Sequence, residues 1–227
     1  MPSYRVISIG AMSAHHLWGE RGDARPGHAT TTLIEVGERR IIVDPSLPAK
    51  ILLSRMAERT NVRPEQITDI FVTSLNPLRR RGVDAFPSAA CWVAEAERDA
   101  YAATLAEKFD EATEADDEEL ERTIQTEQVA LSRFNVAPDE LAPKVALFPL
   151  VGVTPGNAGL LLSQQRSTVL ICGDAIPTLE HLERGAIMQG SFDVEAAQES
   201  FREAVEIADV LVLGRDNAVL NPLRVPY

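Results

Sequence analysis

The chain has 227 residues, of which 45% are hydrophobic and 25% charged, and its formal net charge is -12 at pH 7. This composition is that of an ordinary soluble protein, and it predicts one globular domain over residues 1–227. The negative charge argues against nucleic acid and against an anionic membrane surface as partners, because both are bound through basic surfaces. No apolar run approaches the roughly 18 residues that a membrane-spanning helix needs.

The start of the chain and its cysteines point to the cytoplasm. Met1 is followed by Pro-Ser-Tyr-Arg and a short apolar segment, which is unlike a secretory leader. Cys91 and Cys172 each lie among apolar neighbours, a setting typical of buried free thiols and not of a disulfide framework. We therefore expect a protein of the reducing cytoplasm.

Short runs of β-branched residues alternate with helical segments along the chain, which predicts an α/β fold. Gly37-Glu38 joins the second and third runs as a hairpin turn would, so part of the sheet is expected to be antiparallel. The predicted strands cover residues 4–9, 31–36, 41–43, 70–73, 145–148, 160–162, 169–172 and 210–213.

Two helices have clear start signals. Pro48 can open a helix that ends near Asn61, with a single apolar face formed by Ile51, Leu52 and Met56. Asp193 is a good N-cap for a later helix. Its apolar residues follow helical spacing: Val194, Ala197, Phe201, Val205 and Ala208.

A dense acidic patch at residues 114–121 lies within a predicted helical insertion, which we place around residues 105–135. Like charges at this density are typical of a face exposed to water, and we favour this interpretation over a site for a cation or a partner. The segment lacks the Pro, Gly and Ser of a linker.

Five loops follow strand-like runs, at residues 44–48, 74–82, 154–158, 173–175 and 214–217, and α/β sheets place their sites beyond strand ends. Notable segments are Ile-Ile-Val-Asp44-Pro, Ile67-Thr-Asp-Ile-Phe-Val-Thr73, Thr154-Pro-Gly156, Cys172-Gly-Asp-Ala175 and Ile207-Ala-Asp-Val-Leu-Val-Leu-Gly214. Their order and separations resemble the metallo-β-lactamase fold superfamily over nearly the whole chain. The resemblance implies a four-layer αββα sandwich and a relation to metal-dependent hydrolases.

The residues that would hold the metal are replaced. The family's main motif is a threonine followed by His-x-His-x-Asp-His, and its functional positions fall on Ser74, Asn76, Leu78 and Arg79. By the same resemblance, the histidine of the third loop falls on Asn157 and the last histidine on Arg215, while the bridging aspartate is kept as Asp174.

These replacements predict a protein without a metal. Zinc is held by imidazole nitrogen, thiolate and carboxylate, whereas Ser and Asn offer weak neutral oxygens, Leu offers no donor, and Arg is a permanent cation. Without the metal there is no means of activating water at neutral pH. We therefore expect no zinc, no other cofactor, no usual hydrolase activity, and no assignable catalytic residue: a pseudoenzyme.

Two lost ligand positions became arginine. If the fold is kept, both Arg79 and Arg215 start near Asp174, and we expect one or both to pair with its carboxylate in place of the metal charge. The alternative is that these side chains turn outward to solvent, as most arginines do. Arg80 and Arg81 are expected to be exposed.

Two further functions stay open. Ser74, Asn76, Asn157 and the two arginines could form a metal-free pocket for a small anionic ligand, because guanidinium suits carboxylate and phosphate. A hydrolase could instead recruit a metal through Asp174, Asp44, Asp216 and a histidine. None of the four histidines, His15, His16, His28 and His181, has a partner at a metal-binding spacing.

The resemblance also makes a homodimer plausible. The apolar, Pro-containing tail at residues 219–227 could dock on its own domain or on a second subunit, and we prefer its own domain.

Overall fold

Two mixed six-stranded β-sheets form the centre of the structure, which is a computed structural model that describes residues 1–224. The strands are β1 (Ser3–Ser8), β2 (Thr31–Val36), β3 (Arg39–Val43), β4 (Asp69–Phe71), β5 (Ala90–Val93), β6 (Phe134–Val136), β7 (Glu140–Ala142), β8 (Val145–Pro149), β9 (Ala158–Ser163), β10 (Thr168–Ile171), β11 (Val210–Val212) and β12 (Ala218–Leu220). The helices are α1 (Ala49–Arg59), α2 (Glu95–Glu114), α3 (Glu118–Ser132), α4 (Leu179–Arg184) and α5 (Val194–Ile207).

The strand order explains how distant loops meet. In the first sheet, β1 to β6 lie in sequence order, with antiparallel pairing from β1 to β3 and parallel pairing from β3 to β6. The second sheet has the order β12-β11-β10-β9-β8-β7 and is antiparallel except for the β10–β11 pair. The predicted α/β class with a partly antiparallel sheet is confirmed.

Successive side chains of a strand point to opposite faces of its sheet, and this alternation separates the central core from the outer layers. In β3, Ile41 belongs to the core between the two sheets, while its neighbour Ile42 packs on the outer side with residues of α1. In β10, Val169 faces the same central core, while Leu170 packs on the opposite outer side with residues of α5. Helices thus cover both outer faces, which is the predicted four-layer αββα sandwich.

Helix α1 follows Pro48 as predicted and ends at Arg59, next to the predicted stop. Leu52 and Met56 are buried against the first sheet, but Ile51 is 50% exposed, so its assignment to the buried face was wrong. Consecutive helical residues point about 100° apart at 3.6 residues per turn, and only one of the two can face the sheet.

Helix α5 begins at its predicted N-cap, where Asp193 Oδ1 accepts a hydrogen bond from the backbone N–H of Ala196 at 3.0 Å. Of the five apolar residues that follow helical spacing, four are buried, and Val194 is 56% exposed. Val194 is the first residue of the helix and does not share the buried face of the others.

The insertion is a helical hairpin in which α2 and α3 pack through Leu105, Ala112 and Ile124. It begins at Glu95, earlier than the predicted boundary near residue 105, and its first turn already carries Glu95 and Glu97. Residues 114–120 are all exposed, as expected for a charged face in water.

Strands β5, β6, β7 and β12 were missed because none of them contains a run of β-branched residues. Strand β12 lies in the predicted docking tail and pairs with β11, and the buried Asn221 donates to the carbonyls of Val205 and Ala208. This part of the tail docks on its own domain, as we preferred, and its last residues, 225–227, lie outside the described part of the chain. Within residues 1–224, no helix is both long and apolar enough to cross a membrane.

Candidate functional site

Four charged side chains from four loops meet at one end of the two sheets. Asp44 follows β3, Arg79 lies in the loop after β4, Asp174 follows β10, and Arg215 follows β11. Strands β3 and β4 are parallel, as are β10 and β11, so their carboxyl ends coincide in space. This is the position at which α/β sheets usually carry a site.

A close contact between two backbones places Arg215 beside Asp174. A Cβ atom on Gly214 would lie 2.0 Å from the carbonyl oxygen of Gly173, which is closer than any side chain can approach. The backbone N–H of Arg215 donates to the carbonyl of Pro177 at 2.7 Å and fixes this arrangement. Glycine at position 214 is therefore required for the two loops to meet.

Arg79 is the largest side chain that is fully removed from solvent. Its Nη1 donates to Asp44 Oδ2, and its Nη2 lies 2.5 Å from Asp174 Oδ1. The latter contact is an ion pair without hydrogen-bond alignment, since Nη2 and Nε have no aligned acceptor. One buried guanidinium thus bridges two carboxylates from opposite sheets.

Arg215 binds the same aspartate from its other side. Its Nε and Nη2 donate to the two oxygens of Asp174 at 2.9 Å each, in the parallel geometry that suits a guanidinium and a carboxylate. The predicted pairing is therefore confirmed for both arginines. The alternative, in which they turn outward to solvent, is wrong.

Asp44 is a partner that the sequence did not assign to Arg79. Its carboxylate also accepts hydrogen bonds from the backbone N–H of Thr73 at 2.8 Å and from Thr73 Oγ1 at 2.9 Å. The backbone of Asp44 has a φ of 48°, in the left-handed region that aspartate tolerates better than most residues. The position of Asp44 directly after a buried strand was the feature of the sequence that could have identified it as part of the site.

The electrostatics favour an ionised Asp174. Burial opposes its charge, but the guanidinium groups of Arg79 and Arg215 hold the pKa of Asp174 well below its usual range. Burial likewise opposes the charge of Arg79, yet Asp174 and Asp44 raise its pKa. For Asp44, burial raises the pKa against the opposing effects of Arg79 and Thr73.

This donor set does not fit the metal that the resemblance implies. The oxygens of Asp44 and Asp174 already bind guanidinium, a permanent cation that repels a metal ion. Within residues 1–224, no three His, Cys, Asp or Glu side chains come together as a metal site. The alternative site built on Asp216 and a histidine is included in that result, and Asp216 Oδ2 instead accepts from the backbone N–H of Leu179.

The other replaced positions lie around this cluster with different partners. Ser74 is buried. Asn76 is exposed and caps a short helical turn, where its Oδ1 accepts from the N–H of Leu78 at 3.0 Å. Leu78 is half-buried, and Asn157 is buried with its Nδ2 donating to the carbonyl of Leu150 at 3.0 Å.

These positions correct the predicted anion pocket. A ligand cannot reach Arg79, which is sealed between two carboxylates, and Asn157 is bound within its own loop. A cavity of about 370 Å³ does adjoin the cluster, and of the replaced positions it is lined by Asn76, Leu78 and Arg215. Of the five residues that were predicted to form the pocket, Asn76 and Arg215 line this cavity, and Ser74, Arg79 and Asn157 do not.

A histidine pair that was not predicted from the sequence forms beside the cluster. Thr178 Oγ1 lies 3.0 Å from His15 Nε2 and 2.8 Å from His181 Nδ1, and both rings are buried. Glu180 approaches His15 Nε2 at 3.2 Å. Burial, with a contribution from His15, lowers the pKa of His181 to about 4. His15 is far from Thr178 and His181 in the sequence, so no spacing could have predicted its contact with them.

Both cysteines are buried free thiols, as predicted. Burial raises the pKa of Cys172 and that of Cys91, so neither is poised to react as a thiolate at neutral pH.

Solved structures with the same architecture identify the fold. A Thermotoga maritima protein described provisionally as a metallo-beta-lactamase superimposes with a TM-score of 0.67 at 18% identity, over 96% of this chain and 99% of the other. The chain has the metallo-β-lactamase fold. The hydrolase AbOPH of the beta-lactamase superfamily gives a TM-score of 0.62 at 15% identity, over 100% of this chain and 92% of its own.

A quorum-quenching N-acyl homoserine lactone lactonase shares the metallo-β-lactamase fold too, with a TM-score of 0.60 at 18% identity over 95% of this chain and 91% of the lactonase. No protein-family model matches the sequence. No curated protein matches it either.

In this metallo-β-lactamase fold, the α2–α3 hairpin is tied to the loop that carries Arg79. Arg80 pairs with Glu127 of α3, and its Nε donates to the carbonyl of Leu75 at 3.1 Å. Tyr101 of α2 donates to the same Glu127 carboxylate at 2.6 Å. The expectation that Arg80 is exposed was therefore wrong, while Arg81 is exposed as expected.

A second link starts at the beginning of α2. The buried Glu97 accepts hydrogen bonds from the backbone N–H of Leu75 at 2.8 Å, from Thr154 Oγ1 at 2.6 Å and from the N–H of Gly156 at 3.2 Å. One carboxylate thus holds the loops after β4 and β8 together.

Proposed function

We propose that this is a metal-free protein of the metallo-β-lactamase fold in which the guanidinium of Arg79 supplies the positive charge that a metal ion supplies in the active enzymes. The observation that carries the proposal is the position of Arg79, which is fully buried between Asp44 and Asp174. The usual metal-activated hydrolysis is absent from such a protein, which makes it a pseudoenzyme.

The chemistry of guanidinium supports this proposal. A catalytic metal needs an open coordination position at which a bound water loses its proton near neutral pH. Guanidinium has no coordination position, and its pKa here is raised further by the two carboxylates. It can neutralise Asp44 and Asp174, but it can neither polarise water as a Lewis acid nor accept a proton from it.

The experiment is a hydrolysis assay in the presence of added Zn²⁺. N-acyl homoserine lactones are suitable substrates because a neighbour in fold is a lactonase for them. A solved lactonase serves as the positive control. We expect the hydrolysis rate in the presence of this chain to equal the rate of the protein-free blank. Zinc-dependent turnover that disappears in Asp174→Asn would contradict the proposal.

A second candidate function is the binding of a small anion next to the cluster. Arg215 lines the 370 Å³ cavity, and its Nη1 has no hydrogen-bond acceptor among residues 1–224. A cation with one unused donor group at a cavity wall is suited to a carboxylate or a phosphate.

Anion binding is tested by thermal unfolding in increasing acetate or phosphate at constant ionic strength. A ligand that binds only the folded state raises the Tm. We expect a rise for the wild type that Arg215→Ala abolishes. An equal rise in both proteins would contradict this function.

A further inference from the structure

The cavity beside Arg215 has a mixed lining, in which one guanidinium and four apolar side chains lie among the polar residues Ser13, His16, Asp23 and Asn76. It is bounded by the loop between β1 and β2, the loop after β4, and the segment between α4 and α5. Its apolar side chains are Met12, Ala14, Leu78 and Met188. A volume of about 370 Å³ falls within the range of about 300–1,000 Å³ that is typical of small-molecule sites.

The cationic group restricts the charge of the ligand. Only Nη1 of Arg215 is unused, because Nε and Nη2 bind Asp174. The carboxylate of Asp174 remains close to that guanidinium, and Asp23 lies in the cavity wall. Asp23 in the wall and Asp174 on the guanidinium both oppose a ligand with a second negative charge, so the site favours a monoanion over a phosphate dianion.

The apolar wall restricts the rest of the ligand. Met12 is only 6% exposed, and Leu78 and Met188 are half-buried. Methionine side chains are flexible and polarisable, and they adapt to an aliphatic chain more readily than branched residues do. Methylene groups of a ligand that are buried against these side chains are removed from water, which favours binding.

We propose that this cavity binds a small amphipathic monocarboxylate, with its carboxylate on Nη1 of Arg215 and its aliphatic chain against Met12, Leu78 and Met188. The proposal rests on the second candidate function, the binding of an anion at Arg215. It adds the class of the ligand: a single carboxylate on an unbranched apolar body.

The test compares three probes with the full wild-type chain by NMR titration. Octanoate has both features, acetate has the carboxylate alone, and octanamide has the chain without the charge. We expect octanoate to bind at least about tenfold more tightly than acetate or octanamide. A tenfold ratio of dissociation constants corresponds to about 1.4 kcal/mol of binding free energy. The largest shifts are expected for the backbone amides near Leu78, Met188 and Arg215.

A charge placed on the cavity wall provides a variant that leaves the buried cluster intact. Met188→Glu puts a carboxylate beside the ligand and is expected to weaken octanoate binding by at least about tenfold. Val129→Glu is the matched control, because it adds the same charge at an exposed position of α3 that does not line the cavity. We expect that variant to bind octanoate within about twofold of the wild type.

The outcomes distinguish a failure of the proposed ligand class from a failure of the anion site itself. If acetate binds as tightly as octanoate, the amphipathic class is wrong and the anion site stands. If octanamide binds as tightly as octanoate, or if none of the probes binds, both the ligand class and the anion site are wrong. Equal weakening by Met188→Glu and Val129→Glu also overturns the assignment of octanoate to this cavity.

Discussion

Arg79 Nη2 lies 2.5 Å from Asp174 Oδ1, and the arginine side chain is fully removed from solvent. Removing one partner of a buried ion pair leaves the other charge uncompensated. The free-energy cost of that buried charge is far larger than the stabilisation that the intact pair provides. Because Arg79 also bridges to Asp44, it is the residue on which the largest stability effect is expected.

Arg79→Ser should reduce the free energy of unfolding by about 3–5 kcal/mol, because it leaves Asp44 buried without its cation and Asp174 with only one. Denaturant unfolding measures the change. Arg81→Ser is the matched control, since Arg81 is the exposed arginine two positions away and surface substitutions stay within about 0.5 kcal/mol. Similar losses in the two variants would show that Arg79 is not a buried bridge.

The same variant also tests whether the guanidinium stands where a cation is required. In Arg79→Ser, Asp44 and Asp174 face the space that the guanidinium filled, and oxygen donors suit hard divalent cations. We therefore expect Mn²⁺ or Mg²⁺ to raise the Tm of Arg79→Ser and to leave the wild-type Tm unchanged. A rise of the same size in the wild type would argue against this interpretation.

Arg215→Lys should cost about 1.5–3 kcal/mol of unfolding free energy, the usual contribution of a hydrogen bond to a charged group. Lysine keeps the charge but cannot donate two parallel bonds to Asp174. Arg202→Lys, at an exposed ion pair on α5, should cost less than about 0.5 kcal/mol. Equal effects in a parallel unfolding experiment would mean that the bidentate geometry is unimportant.

His181 should make the folded state less stable in mild acid. Burial and the nearby His15 lower its pKa to about 4, while Glu180 and Asp174 act in the opposite direction and His16 adds to the lowering. The unfolded chain takes up this proton below pH about 6.5 and the folded chain only near pH 4, so acidification favours unfolding between these values. The expected loss across this window is on the order of 1–3 kcal/mol.

The measurement is the unfolding free energy at a series of pH values for the wild type and His181→Gln. The variant should show a flatter profile between pH about 6.5 and 4. Asp174 adds little slope there, because its pKa lies below the window in the folded chain. An unchanged slope in His181→Gln would remove His181 as the cause.

Tyr101 should ionise only in strong alkali. Burial and the adjacent carboxylate of Glu127 raise the pKa of Tyr101 to about 12. Ultraviolet absorbance follows the formation of tyrosinate during a pH titration. The transition at the highest pH should disappear in Tyr101→Phe and move to lower pH in Glu127→Gln. If Glu127→Gln leaves the titration unchanged, Tyr101 and Glu127 are not in contact.

The architecture could be predicted because the sequence patterns that indicate it lie within single strands and the loops that follow them. The strands that line the core, such as β3 and β10, are apolar runs with a strand's length and composition, and the loops that follow them keep a recognisable order. Strands β5, β6, β7 and β12 contain no run of β-branched residues that would mark them in the sequence. Their existence is decided by pairing with neighbours that are distant in sequence.

The candidate site could be predicted only in part. The presence of Arg79, Arg215 and Asp174 at positions where the resemblance implies metal ligands was enough to predict the ion pairs. The role of Asp44 was missed because a strand-end aspartate does not reveal which cation it faces. The contact between His15 and His181 through Thr178 depends on loop conformation, which no spacing encodes.

The zinc content of the purified wild-type chain tests the central claim most directly. After expression with added zinc and dialysis against metal-free buffer, mass spectrometry of the metal should find no more zinc per chain in the wild type than in Asp174→Asn. Such a result is expected if the guanidinium of Arg79 holds the place of the metal. One or two zinc ions per wild-type chain, lost in Asp174→Asn, would contradict the account.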